Sequence, residues 1–130
     1  MKTIITTLLL LMTLSVQADL KDWERKDRIL WYSYLTLNVI DTGQTFDLID
    51  KQRDIGYIHR KNLIETNPIL GKNPGKKELL VLKTFTTIAA YYILDKNPKH
   101  RTLTLGIMNG LYINTVYGNH EIGLRVNINF

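Results

Sequence analysis

Three stretches of about 15–18 residues are almost free of charge, and the segments before, between and after them hold every charged residue of the chain but two. They run Ile29–Phe46, Leu79–Leu94 and Leu103–Tyr117. Asp41 is the one charge in the first, Lys83 the one charge in the second, and the third is uncharged. Apolar runs of this length read as helices. A membrane span takes about 20 such residues, with a range near 17–25. Each stretch therefore sits on the border between a lipid-facing helix and a core helix of a water-soluble bundle. The mean hydropathy of −0.10 favours the soluble bundle. Confinement of polar residues to the connectors favours lipid. A charge at mid-bilayer costs roughly 3 kcal/mol on insertion scales, and Asp41 and Lys83 offset each other if their helices pack side by side. Trp23, Trp31, Tyr32, Tyr34, Tyr91, Tyr92, Tyr112 and Tyr117 fall near helix ends, as interfacial aromatics do. The expected fold is all-α. It is a small bundle of about three helices, membrane-embedded or membrane-associated, with a short C-terminal β-strand.

The N-terminus reads as an export signal. Lys2 precedes an apolar run from Ile4 to Leu14, and Val16 and Ala18 supply the small residues of a cleavage site. The run is roughly 16 Å of helix against a hydrocarbon core of about 30 Å, short for a permanent span. Cleavage after Ala18 is expected, with an uncleaved anchor as the alternative. Residues 19–130 then form one helical domain, and about 110 residues can bury a core unaided. The chain has no cysteine, which excludes a disulfide scaffold, a thiolate metal site, a thiol nucleophile and a lipid-anchored N-terminal Cys.

Along the mature chain, Asp19–Arg28 is a charged lead-in, and a first helix is expected over roughly Asp27–Asp50. Asn38, Asp41 and Thr45 stand at i, i+3 and i+7 and so share one stripe of that helix. Gly43 costs the helix up to about 1 kcal/mol relative to Ala, which implies close packing there. Residues 62–75 are dense in turn formers. Asn73 with Pro74, and Asn97 with Pro98, read as N-caps followed by a first-turn proline, so the second and third helices start at about Pro74 and Pro98. Gly106 and Gly110 form a small-xxx-small pair inside the third, of the kind that lets two helices approach closely. Gly118 reads as its C-terminal cap. In Glu121–Phe130 apolar residues alternate with polar ones, which is the strand signal. A lone strand needs a partner, so self-association or pairing with an envelope protein is expected of it.

The polar cluster Asp41, Gln44 and Thr45 is a functional candidate if it lies in lipid, and otherwise a hydrogen-bonded seam between helices. Glu65, in the loop Glu65–Gly71 with Asn67, reads either as a base or ligand, or as the acceptor for backbone donors in a tight turn. His59, His100 and His120 lack metal-ligand spacing, and no cofactor motif is present. Ser33, the only serine after the signal, has no adjacent base, which argues against a serine hydrolase. The basic groups Lys72/Lys76/Lys77 and Lys96/Lys99/Arg101 flank apolar helices. They suit anionic lipid headgroups, or simply solubilise the loops. Nucleic acid is not an expected partner for an exported chain.

The series Asp41-Thr42, Gln44-Thr45, then Glu65-Thr66-Asn67-Pro68-Ile69-Leu70-Gly71 with Pro74 just after, then two apolar helices, resembles a group of uncharacterised small membrane proteins of Gram-negative bacteria and their phages. They carry a Q-T on the first helix and an E-x-N-P-x-L-G-x-x-P loop before the second. The resemblance is specific in that loop alone. This chain departs from the group in its signal peptide and charged lead-in. By analogy it implies a phage context and an envelope-disrupting, host-lysis role. The expected function is a non-enzymatic, exported helical membrane protein of the Gram-negative envelope, with the periplasm as second location. The alternatives are an intramembrane enzyme or transport component using Asp41, Glu65 and Lys83, and a soluble periplasmic binding module.

Overall fold

The computed structural model describes residues 20–54 and 75–127. The expected signal peptide, the Glu65–Pro74 loop with Glu65 and Asn67, His59, the expected Asn73-Pro74 cap and the last three residues of the tail lie outside them. A short 3-10 turn, Leu20–Asp22, leads into α1 (Arg25–Asp54), and α2 (Lys76–Asp95) and α3 (Pro98–Glu121) follow. At 1.5 Å per residue they are roughly 45, 30 and 36 Å long. Among the described residues no helix is long and apolar enough to cross a membrane.

Helix directions follow from which residues meet. The Thr102 hydroxyl donates to Asp27 near the start of α1, and Lys51 donates to the Gly123 carbonyl at the far end, so α1 and α3 run parallel. Lys76 at the start of α2 pairs with Asp50 near the end of α1, so α2 returns antiparallel to both. The buried residues of α1 include Asp27, Trp31, Tyr34, Asn38, Asp41, Thr45 and Leu48. Their spacing alternates between four and three, the stripe of a helix packed along a parallel partner. α3 answers with buried Arg101, Leu105 and Asn109, and with Tyr112, Val116 and Asn119, which are half-buried.

Apolar clusters close both ends of this seam. At the α1 N-terminal end lie Leu20, Trp23, Trp31, Tyr34, Tyr91, Leu94 and Leu105. Trp23 stacks on Tyr91 with centroids 5.9 Å apart and meets Trp31 edge-on at the same distance. At the opposite end lie Phe46, Ile49 and Leu79. Trp23, Trp31, Tyr34 and Tyr91 are thus core residues rather than interfacial anchors. Tyr32, Tyr92 and Tyr117 are the exposed members of the expected aromatic belt.

Arg101 holds the α2–α3 corner, where Lys96 and Asn97 alone separate the helices. Its Nε donates to the Leu94 carbonyl at 2.9 Å and its Nη2 to the Asp95 carbonyl at 3.0 Å. These are carbonyls that the end of α2 leaves without intrahelical donors. The guanidinium also lies 4.3 Å from the Trp23 ring centroid and 3.9 Å from Asp27, while the Trp23 indole donates to Asp95 at 2.9 Å. Arg101 is therefore a buried clamp and not part of a surface basic cluster. Pro98 stands in the first turn of α3, as the sequence implies, but the Asn97 amide turns back to the Ile93 carbonyl instead of capping α3. α2 starts from Gly75 as its N-cap.

The expected C-terminal strand does not form over the described residues. α3 continues through Gly118 to Glu121, and the glycine that ends it is Gly123, at φ +86°. Gly123 N–H donates to the His120 carbonyl and Leu124 N–H to the Asn119 carbonyl, each at 3.0 Å. This is the paired closure that a left-handed glycine permits. The tail then lies along α1. Arg125 N–H donates to Asp47, Asn127 N–H donates to the Gly43 carbonyl, and Leu124 is buried. An alternating pattern specifies a strand only where a sheet edge exists to accept it, and the residue alternation here serves to bury Leu124 on a helix instead. Gly43 makes room for the tail: a Cβ there would lie 2.6 Å from Val126 Cγ1.

Gly43→Leu should therefore lift the tail from α1. With a hydrogen bond worth about 1 kcal/mol, amide exchange at Asn127 should quicken roughly fivefold while α1 stays helical by circular dichroism. Arg101→Leu should lower the free energy of equilibrium unfolding by about 3–5 kcal/mol, because Asp27 stays buried without its cation. Arg101→Lys should restore it only in part, since an ammonium returns a cation near Asp27 but lacks the planar fork that meets two carbonyls while lying flat on Trp23.

Candidate functional site

Between the two apolar clusters the bundle interior is polar. Asn38, Asp41, Gln44 and Thr45 of α1 and Asn109 of α3 are buried there. The centre is the ion pair between Lys83 Nζ and Asp41 Oδ2 at 2.5 Å. The sequence suggests this pairing through the lone charge on each of two apolar helices, and the structure places the two side by side. The second Asp41 oxygen accepts from the Asn119 amide at 3.2 Å, and that amide also reaches Gln44 Oε1 at 3.2 Å. Gln44 Nε2 donates to the Val116 carbonyl at 3.1 Å. Asp41 thus joins all three helices. Thr45 stands beside this group, but its hydroxyl donates to the Asp41 backbone carbonyl rather than to a side chain.

Lys83 Nζ also lies 3.4 Å from the Tyr112 hydroxyl and 5.1 Å from its ring centroid. Tyr112 meets Tyr34 edge-on with centroids 5.3 Å apart. The Asn38 amide donates to the Tyr34 hydroxyl at 3.4 Å and to Thr87 Oγ1 at 3.1 Å. The Asn109 amide donates to the Leu30 carbonyl at 2.9 Å and to the Leu105 carbonyl at 2.8 Å. One carboxylate, one ammonium and two phenols therefore share the interior with amides that hold them in place. These groups can pass or hold a proton. They include no hydroxyl or thiol nucleophile set against a base.

Other sequence candidates fall elsewhere. Gly106 and Gly110 lie on the exposed face of α3, with nothing within 4 Å of where a Cβ would stand, so they do not bring helices together inside the bundle. His100 and His120 are exposed, near opposite ends of α3. Among the described residues no group of three His, Cys, Asp or Glu side chains is placed to hold a metal ion. The sequence does not mark Asn109 or Asn119, and it marks Tyr112 only as an interfacial aromatic rather than as a member of this layer. Their signal is recurrence at three- and four-residue intervals, in register with the polar stripe of α1, which helical periodicity can expose.

Comparison with protein-family models, with curated proteins and with solved structures finds no match to this chain.

Removing one partner of the buried pair leaves an uncompensated charge, a loss of about 3–5 kcal/mol, whereas replacing both by apolar groups of similar size is often nearly neutral. Asp41→Leu and Lys83→Met should each destabilise by that amount. The double variant should return to within about 2 kcal/mol of the parent, a coupling that a double-mutant cycle on equilibrium unfolding measures directly.

Proposed function

We propose that this chain is a non-enzymatic, membrane-embedded helical bundle of the bacterial envelope, its apolar outer face in contact with lipid and its polar groups turned inward. The distribution of charge carries the reading. Across Ile29–Phe46, Leu79–Leu94 and Thr102–Asn119 the only charged residues are Asp41 and Lys83, and these pair inside. The outer surface of the same band exposes Ile29, Val39, Val81, Phe85, Ile93, Leu103, Ile107, Leu111 and Ile113, with Val81 and Phe85 each 70% exposed. The band is roughly 24–27 Å tall at 1.5 Å per residue, close to a hydrocarbon core of about 30 Å. Exposed charges gather at its two ends, as on Lys26, Lys96 and Lys99 at one and Lys77, Glu121 and Arg125 at the other. Hydropathy summed along a single helix counts inward amides and charges as if they met lipid, and so understates how apolar the assembled exterior is.

The exposed threonines of the band support the same reading. Thr36, Thr86 and Thr115 each donate to the carbonyl four residues back, at 2.9, 2.9 and 3.0 Å. A hydroxyl facing hydrocarbon has no other acceptor. The ion pair at mid-height favours, as a second reading, a transport component that uses Asp41 and Lys83. That reading requires the two to part, and Asp41→Asn should then abolish cation or proton flux in proteoliposomes without loss of insertion.

Fractionation of expressing cells tests the leading reading. The protein should stay in carbonate-washed membranes. Ile107→Arg, which puts a charge at mid-band at a cost of roughly 3 kcal/mol, should drive it into aggregates or degradation, while Lys77→Arg should not. Release of the parent protein by osmotic shock without detergent would overturn the proposal in favour of a soluble binding module. Culture turbidity in the same experiment reads the envelope-disrupting activity that the resemblance implies.

A further inference from the structure

The residues that lead into α1 pack against the corner between α2 and α3. Leu20 and Trp23 share a cluster with Leu94, the Trp23 indole donates to Asp95, and the Arg101 guanidinium lies 4.3 Å from the Trp23 ring centroid. Cations far apart in the sequence are thereby gathered at one end of the bundle. Lys21, Arg25, Lys96 and Lys99 are exposed there, and Arg28 is half-buried. The basic groups marked in the sequence are redistributed in the process. Lys76 is held by Asp50, and Arg101 by Asp27 and the carbonyls at the end of α2.

Among the described side chains, seven Lys or Arg residues stand outside any ion pair, and five of them are those at the corner end. Two carboxylates of that end, Asp22 and Asp95, are likewise outside an ion pair, while Glu24 is taken by Lys26. At the far end Asp47 and Asp50 bind Lys51 and Lys76, and the remaining Lys77 and Arg125 are matched by Glu78 and Glu121. The corner end thus carries the surplus of positive charge. What it attracts is narrowed by what lies beside it. Ile29, Tyr92, Ile93 and Leu103, each more than half exposed, form the adjoining rim of the apolar band. A nucleic acid or an acidic protein would meet the charge and leave this rim uncovered. A phospholipid meets both, since acyl chains against the rim set its phosphate at the level of the cations. Lys and Arg suit that level, because their stems lie along apolar surface while their heads reach outward. Clusters of about four to eight such residues beside a membrane helix draw anionic headgroups.

We propose that the corner end of the bundle, through Lys21, Arg25, Arg28, Lys96 and Lys99, is a docking surface for anionic phospholipid headgroups of the phosphatidylglycerol kind. The cations form a rim that several headgroups share, rather than a pocket for one phosphate. Tyr92 stands in that rim as interfacial aromatics do. The inference rests on the membrane reading, to which it adds the class of lipid and the end of the bundle that meets it.

Spin-labelled lipids test it on the full-length protein in phosphatidylcholine bilayers. A motionally restricted component from labelled phosphatidylcholine reports that the bundle is embedded, whatever the headgroup. Labelled phosphatidylglycerol should associate about two- to fivefold more strongly, since each Lys or Arg at an anionic surface is worth roughly fivefold and the boundary averages over the whole bundle. The preference should shrink in about 0.5 M salt, which screens such charges. Replacing Lys21, Arg25, Lys96 and Lys99 together by Gln should bring the two labels to parity, whereas Lys77→Gln with Arg125→Gln should keep the preference. Equal association of both labels with the parent protein overturns the proposal, leaves the membrane reading standing and assigns the cations to an acidic protein or to solvent. A preference that survives the fourfold replacement also overturns it, because the headgroups then dock elsewhere. Restriction of neither label overturns the membrane reading and the docking surface with it.

Discussion

The Asp41 carboxylate is the point at which the three helices are obliged to agree. It stands on α1, one oxygen takes the Lys83 ammonium from α2, and the other takes the Asn119 amide from α3. A buried charge left without its partner costs about 3–5 kcal/mol, a large share of the stability of an ordinary domain. α2 must therefore present Lys83, and α3 must present Asn119, at the height of Asp41 and facing it. Those two demands fix the rotation of each helix about its axis. With the rotations set, Tyr112 falls against Tyr34, Asn38 meets Thr87, and Gln44 finds the Val116 carbonyl.

The same demand sorts the rest of the chain by depth. Apolar residues cluster at the two ends of the interior and most polar ones lie between them, with Asp27 and Arg101 set beside Trp23 at one end, while the outward faces at the level of the polar layer are mostly aliphatic. A water-soluble bundle places aliphatic residues at seam positions, with a polar group as the exception that sets register. Here four of seven successive seam positions on α1, Asp27, Asn38, Asp41 and Thr45, are polar. The hydrophobic effect alone does not hold such an interior together. Directed bonds between the helices add to the two apolar clusters in doing so.

Much of this was legible in the sequence. Lengths of uncharged run and the proline after Asn97 place the helices, and the three-and-four spacing of Asn38, Asp41 and Thr45 marks the polar stripe. The lone charges Asp41 and Lys83 suggest their own pairing. Arg101 was not legible, because a basic residue beside a turn reads as solvated unless one knows that Asp27 and the end of α2 converge on it. Gly118 reads as the end of α3 in the sequence, while the glycine that ends it is Gly123. Either glycine can end a helix, and here the closure at Gly123 sets Leu124 down on α1, where it is buried. The tail was misread because alternation reports two unlike faces, and a chain lying along a helix has two faces as much as one in a sheet.

The polar seam also acts as a ruler between α1 and α3. Aliphatic seam residues are interchangeable, so two helices joined by them alone can slide by a turn, about 5.4 Å, and meet similar neighbours. Here the marks on the ruler differ. Asp27 takes Arg101 and Thr102, the Leu30 carbonyl takes Asn109, and Asp41 takes Asn119. A slip of one turn would strand two acids at once, at positions fourteen residues apart along α1. Misaligned pairings are thus rejected at both marks together, and the bundle has one way to close.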